Sequence, residues 1–324
     1  MAPFKSSLAR SVGKLLGVYR EADLSLRGGV QSSRVPIPPF SAVSATGGST
    51  FAPGDGYKYH IYTNAGSNPF NVTDAGTPGA IEYVLIAGGG GGADRGNGAG
   101  GGGAGGVFGH GMELPGSAYQ AGAVTVTVQN YSLVIGAGGQ GSPANTGGEG
   151  AGDNGTPSTG FGKTAVGGGG GGQNNVSPGA GGAGGSGGGG DNTKPAGAGQ
   201  NYPGPTQQGF PGGEANEPGG GGGGGAASIG FAGNANPNPG GGGYGIGFSW
   251  APSSYGTTGP DGSKRYFAGG GQGGDSSPGD GGYGGGGDMR SGGVNGTGGG
   301  AGSGDDGGSG GTGGSGFIAV RYQV

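Results

Sequence analysis

Between residues 88 and 316 the chain is a succession of glycine tracts, and this stretch holds 94 of its 105 glycines. Such a tract has no side chain to bury, and glycine loses the most backbone freedom on ordering, about 1–2 kcal/mol per residue. Whatever orders it must therefore come from backbone packed on backbone. Leu, Ile, Val and Phe together number only 44 of 324 residues, too few for the side-chain cores of a conventional two-domain enzyme. The chain has no Cys, which excludes disulfides and thiolate metal sites.

Collagen requires Gly at every third position with abundant Pro between, whereas the tracts at 167–172 and 219–225 are consecutive Gly. Low-complexity disorder suits the composition, yet apolar, β-rich runs close the glycine region at both ends. The ordered alternative is a bundle of polyglycine II helices, left-handed and extended, with three residues per turn. Every face of an interior helix then meets a neighbour, and only Gly permits that approach. Its N–H lets adjacent helices exchange hydrogen bonds of about 0.5–1.5 kcal/mol net each. Inserts such as Asn234-Ala235-Asn236-Pro237-Asn238-Pro239 are turn residues. The pattern predicts a stiff slab with loops at its ends.

Ahead of the tracts, Phe4, Leu8, Val12, Leu15 and Leu16 recur among Lys5, Arg10, Lys14 and Arg20, which predicts a short amphipathic helix. Residues 1–34 hold six basic and two acidic side chains, against eight and sixteen in the remainder, a basic head on an acidic body. Leu24 and Leu26 continue the apolar pattern, so residues 1–34 read as a docking segment for a larger partner. A transit peptide and a membrane-surface helix are the alternatives. No segment has the ~18 consecutive apolar residues of a membrane-spanning helix. Residues 35–40 read as a Pro-rich extended linker. Residues 41–80 are expected to form a small β element, with Tyr57, Tyr59 and Ile61 on one face of a strand, and 81–324 the glycine-rich body. Runs at 81–87, 124–135 and 317–322 are rich in β-branched residues and are expected to close that body as strands of one small sheet. The expected class is thus mostly non-regular and β: a small β-sheet joined to a polyglycine II sandwich, with a short N-terminal helix.

Several motifs resemble chemistry without supporting it. Gly160-Phe161-Gly162-Lys163-Thr164 resembles the end of a phosphate-binding loop, but Pro157 occupies the position of the first Gly. Asp305-Asp306 has no further carboxylates nearby and reads as a solvated pair. His60 and His110 have no partner at catalytic spacing and read as structural. The glycine body is acidic, which opposes nucleic-acid binding. No enzyme activity, metal or cofactor is expected. Aromatics are the informative residues, because Tyr202, Phe210, Phe231, Tyr244, Phe248, Trp250, Tyr255, Tyr266, Phe267 and Tyr283 lie mostly in or beside the inserts. They either shelter the faces of the slab or form a recognition surface on a rigid scaffold. The insert from Phe248 to Tyr255 carries the only Trp. Trp250, Tyr255, Phe248 and Tyr244 are accordingly the candidate binding residues.

The strand Ile81-Glu82-Tyr83-Val84-Leu85-Ile86-Ala87 followed by five Gly, then Tyr131-Ser132-Leu133-Val134-Ile135-Gly136-Ala137-Gly138-Gly139, Phe161-Gly162-Lys163-Thr164-Ala165-Val166, Tyr266-Phe267-Ala268 and the closing Gly316-Phe317-Ile318-Ala319-Val320-Arg321-Tyr322 resemble, in that order, the glycine-rich domain of tailed-bacteriophage tail fibres and adhesins. The likeness covers roughly residues 42–324. The N-terminal Phe4-Lys5-Ser6-Ser7-Leu8-Ala9-Arg10 and Asp23-Leu24-Ser25-Leu26-Arg27-Gly28 are similar to the starts of structural proteins from phages of marine cyanobacteria. The resemblance implies a virion tail protein assembled in the bacterial cytoplasm. Other tail proteins would be its partners through residues 1–34, and a homotrimer is an implied assembly. Its loops would contact a host-surface polysaccharide or outer-membrane protein. A purely structural connector, decoration or filament subunit is the alternative.

Overall fold

A strand with apolar residues on both faces must lie in the middle of a stack, and one with a single apolar face must cover it. That distinction organises the chain. A computed structural model describes residues 39–324 apart from 95–97, 144–149, 174–178, 193, 203–205, 217, 235–238, 275–278 and 305–307. The helix and docking residues expected at Phe4, Leu8, Val12, Leu15, Leu16, Leu24 and Leu26 lie outside the described residues. The strands are β1 (Ser44–Thr46), β2 (Ser49–Phe51), β3 (Tyr57–Tyr62), β4 (Gly66–Asp74), β5 (Ala80–Ile86), β6 (Val107–His110), β7 (Val124–Thr125), β8 (Asn130–Ile135), β9 (Ser158–Gly160), β10 (Lys163–Ala165), β11 (Ile246–Phe248), β12 (Thr257–Thr258), β13 (Arg265–Phe267) and β14 (Phe317–Gln323).

They form three antiparallel sheets, not the one expected. The central sheet runs β2-β3-β14-β5-β6, with β7 paired to β5. β5 is apolar on both faces: Val84 and Ile86 point into one core and Ile81, Tyr83 and Leu85 into the other. β14 divides likewise between Phe317 and Ala319 on one side and Ile318, Val320 and Tyr322 on the other. The sheet β1-β4-β8-β9-β10 covers the second core with Phe70, Val72, Leu133 and Ile135. The sheet β11-β13-β12 covers the first with Ile246, Phe248 and Phe267. The run at 124–135 therefore contributes not to the central sheet but to a cover, except at β7. Its β8 has only one strongly buried apolar face. Residues 41–80 are woven into the same stack, since β3 pairs with β14 and β4 with β8.

Where the strands stop, glycine tracts continue them. β5 runs into 87–94, β8 into 136–142 and β10 into 166–172, while 99–106 leads into β6 and 311–316 into β14. The hydrogen bonds of 87–94 give the geometry. Ala87, Gly90 and Ala93 donate to Gly106, Gly103 and Gly100; Gly88, Gly91 and Asp94 donate to Thr156, Asp153 and Gly150; Gly89 and Gly92 donate to Gly314 and Gly311. Each neighbour is engaged at every third residue, so the tract turns once per three residues, as polyglycine II does. The carbonyls complete the set, accepting from Gly168 and Gly171, from Gly139 and Ser142, and from Ala301 and Gly304. Tract 87–94 thus has six neighbours, three as donor and three as acceptor.

Tracts 99–106 and 219–225 are enclosed in the same way. The first donates to 166–172, 221–224 and 298–301 and accepts from 87–93, 186–189 and 271–274. Donor–acceptor distances in these ladders are 2.7–3.1 Å, full-strength amide bonds. Side-chain space is absent: a Cβ built on Gly223 would lie 1.9 Å from the carbonyl oxygen of Gly102. Gly98, with φ 94°, stands where the chain reverses between the first two of these helices, in a conformation that L-residues rarely take. A mostly β and non-regular fold, three stacked antiparallel sheets joined to a polyglycine II bundle, is therefore the architecture of the unit Phe40–Val324.

Candidate binding cleft

In the insert after β11, Ser249, Ser253 and Ser254 are exposed, whereas the Phe248 and Trp250 rings turn inward. Phe248 is fully buried and Trp250 only 9% exposed. Trp250 stacks on Tyr59 at 5.6 Å between ring centroids, and its Nε1–H donates to the Met112 carbonyl at 3.2 Å. Tyr255 packs edge-on against Phe317 at 6.2 Å. Ile246, Phe248 and Trp250 alternate with Gly247 and Ser249, so the insert extends a strand whose inward side closes the first core. Phe248 and Trp250, expected as binding residues, thus have their rings occupied by packing in the core against the central sheet. Ser249, on the outward side, is held by the Glu113 carboxylate. His60 is likewise structural. It is buried, with Nδ1 2.7 Å from the Gly47 carbonyl and Nε2 3.0 Å from the Tyr322 hydroxyl. Burial lowers its pKa, partly opposed by the bond to Gly47.

Tyr244, by contrast, is 45% exposed, and so are Tyr283 at 45% and Phe231 at 44%. These three residues are far apart in sequence but adjacent on the flank of the bundle. The Phe231 and Tyr244 rings are 5.5 Å apart at 64°, and those of Tyr244 and Tyr283 5.5 Å apart at 33°. They line a cleft of about 460 Å³ together with Asp280, Asp288 and the glycine backbone at 241–242. The floor is an outer polyglycine II helix. A Cβ on Gly241 would meet nothing closer than the Asp280 carbonyl oxygen at 3.4 Å and the Phe231 ring at 3.6 Å. Among the described residues, this face of the bundle has no helix packed on it.

The backbones that carry the rings are held by the bundle's own ladder. Phe231 N–H donates to Gly241 at 3.0 Å, and Gly222 donates to the Phe231 carbonyl at 3.0 Å. Ala227 and Gly245 donate to the carbonyls of Tyr244 and Tyr283, each at 2.7 Å. Tyr244 N–H donates to Ser228 Oγ at 2.9 Å. Asp288 Oδ1 accepts from Gly281 N–H at 2.8 Å, which ties this carboxylate to the loop bearing Tyr283. Side chains with two soft torsions on a fixed backbone lose little entropy on contact.

The glycine-rich domain family matches residues 63–323. The chain belongs to that family. No curated protein matches it. Within this glycine-rich domain the matched span begins just after β3 and ends in β14, so it takes in the whole described bundle. Of the candidate binding residues, the domain brings only Tyr244 into the cleft. Phe231 and Tyr283 sit beside glycine tracts in the sequence, the signal that could have selected them. Asp280 and Asp288 carry no sequence signal of their own, because their place beside Tyr244 depends on which tracts pack together.

Proposed function

We propose that this protein is a virion tail component, a short tail fibre or tail-tip adhesin of a tailed phage, that recognises a host-surface receptor from a rigid polyglycine II scaffold. The observation that carries this reading is the cleft: three exposed aromatic rings and two carboxylates on a backbone fixed by bundle hydrogen bonds. Aromatic faces stack on the C–H faces of sugar rings, and carboxylates accept from their hydroxyls. Preorganisation keeps the ordering cost of binding low. The ordered motifs shared with tail-fibre glycine domains support the same assignment, with residues 1–34 as the attachment to the particle.

The test is binding of the fluorescently labelled full chain to a panel of marine cyanobacterial cells. Saturable binding to at least one strain, lost in Tyr244→Ala with Tyr283→Ala at unchanged melting temperature, is the expected result. Absence of binding to a strain that the intact particle infects would reject the adhesin and favour a connector that binds only other subunits.

A further inference from the structure

The cleft has a charge character that the adhesin reading does not require. Among the described residues, the side chains lining it that carry charge at neutral pH are both carboxylates, Asp280 and Asp288, and none of the lining residues is Lys, Arg or His. Asp288 is anchored through one oxygen by Gly281 N–H. Asp280 contributes its carbonyl to Gly242 N–H at 3.1 Å, which fixes its backbone on the cleft wall and leaves its carboxylate outside the bundle's ladder. The Tyr244, Tyr283 and Phe231 rings line the same cleft, each neighbouring pair 5.5 Å apart between ring centroids. Electron-rich ring faces attract ammonium groups, and carboxylates form charge-assisted hydrogen bonds with them.

We infer that the cleft takes a protonated amine carried on a surface polysaccharide, an amino-sugar residue without its acetyl group. This rests on the adhesin reading and narrows its receptor. The rings supply the stacking platform that a sugar ring needs and a lone lysine side chain does not. The carboxylates select the ring that bears the positive charge. A cleft of about 460 Å³ falls within the roughly 300–1,000 Å³ of small-molecule sites, which suits a short stretch of glycan rather than a folded protein surface.

The experiment is titration calorimetry on the full chain with three tetrasaccharides: fully deacetylated glucosamine, its N-acetylated counterpart, and the neutral glucose polymer. The buffer is kept acidic enough to protonate the amines. The deacetylated sugar is expected to bind about tenfold more tightly than either of the others, with the preference shrinking as salt screens the carboxylates. Asp280→Asn with Asp288→Asn should erase the preference, and Tyr244→Ala should weaken all binding. Near-UV circular dichroism of each variant confirms that it is folded. Equal binding of all three sugars would overturn the inference while leaving a glycan adhesin in place. So would a lysine-rich peptide that binds as well as the amino sugar, which would point to a protein receptor. Cell binding that depends on Tyr244 but is matched by no tetrasaccharide overturns it too. Failure on cells and sugars alike sinks the adhesin reading with it.

Discussion

Gly90→Ala places one methyl in the middle of the bundle. A Cβ there would lie 2.1 Å from the Gly169 carbonyl oxygen, 2.5 Å from its carbon and 2.9 Å from Gly170 N. Relaxed carbon–oxygen contact needs about 3.3 Å, so the two helices must part by roughly 1 Å. Gly90 cannot retreat without loosening its own bonds, from its N–H to Gly103 at 2.8 Å and from Ala301 N–H to its carbonyl at 3.0 Å. Overpacking costs about 1–3 kcal/mol, and a buried amide deprived of its partner about 1–3 kcal/mol more. A loss of about 2–6 kcal/mol is a large share of the ~5–15 kcal/mol that holds a typical domain. Gly241→Ala makes the same chemical change where the new Cβ has ordinary contacts. There the restriction of the unfolded chain should stabilise by about 0.4–1 kcal/mol. At about 2–4 °C per kcal/mol, thermal unfolding followed by Trp250 fluorescence should show Gly90→Ala melting roughly 4–24 °C early and Gly241→Ala level with the parent or above it. Equal shifts in the two variants, or a Gly90→Ala melting point within about 2 °C of the parent, would refute a bundle held by backbone contact.

Trp250→Ala should cost about 3–5 kcal/mol, and any fall in cell binding should follow the melting temperature rather than change selectivity; loss of binding at unchanged stability would return Trp250 to the receptor site. His60 has its folded-state pKa below its unfolded value of 6.5, so the unfolded chain takes up its proton first as the pH falls. Its contribution is complete above pH 6.5 and is lost as the pH drops through the folded value, and melting curves between pH 7.5 and 5 should slope less in His60→Gln than in the parent. Arg321 donates to Glu82 at 2.6 and 2.9 Å and lies 4.2 Å from the centre of the Tyr57 ring. Because both side chains keep partial exposure, Arg321→Met should cost about 2 kcal/mol in denaturant unfolding, between the values for surface and buried pairs, and a cost below about 0.5 kcal/mol would make the pair incidental.

The bundle was legible in the sequence because its determinant is local: a tract without side chains either packs on all faces or stays disordered. The strands at 57–62, 80–86, 130–135 and 317–323 were legible from their apolar runs. β4 was not, since Gly66, Asn68 and Pro69 argue against a strand. Its burial alternates only at Phe70 and Val72, and Pro69 is tolerated because it lies beyond the part paired with β1. The division into three sheets was hidden because runs of similar composition reveal how many faces they bury only once both cores are assembled. Trp250 misled for a related reason. Sequence position put it in an insert, while the alternation Ile246, Phe248, Trp250, the signal that tied it to a strand, was outweighed by the surrounding Pro and Ser. The cleft is the least legible feature. Phe231, Tyr244 and Tyr283 meet because Gly222 bonds Phe231 and Gly243 bonds Gly223, and a tract of identical residues does not encode which tract will lie beside it.

That ambiguity has a physical counterpart in how the molecule divides its labour. In the stack of sheets, side-chain identity is the source of cohesion, so Phe248, Trp250 and Phe317 are constrained by one another's shape and a change in any of them is felt as stability. In the bundle, cohesion comes from N–H and C=O groups common to every residue; the side chains buried within tracts are mostly small, as at Ala104, Ser186 and Ala301, and larger ones stand mostly at tract ends and on the outermost helices. Phe231, Tyr244 and Tyr283 stand at such places, with their backbones locked and their rings outside the lattice. Replacing one changes what the cleft can hold while leaving the ladder beneath it intact. Because backbone packing and not side-chain shape holds the bundle together, the proposed recognition by these rings is separable from folding, and variants at Tyr244 and Tyr283 should alter binding without altering the melting temperature.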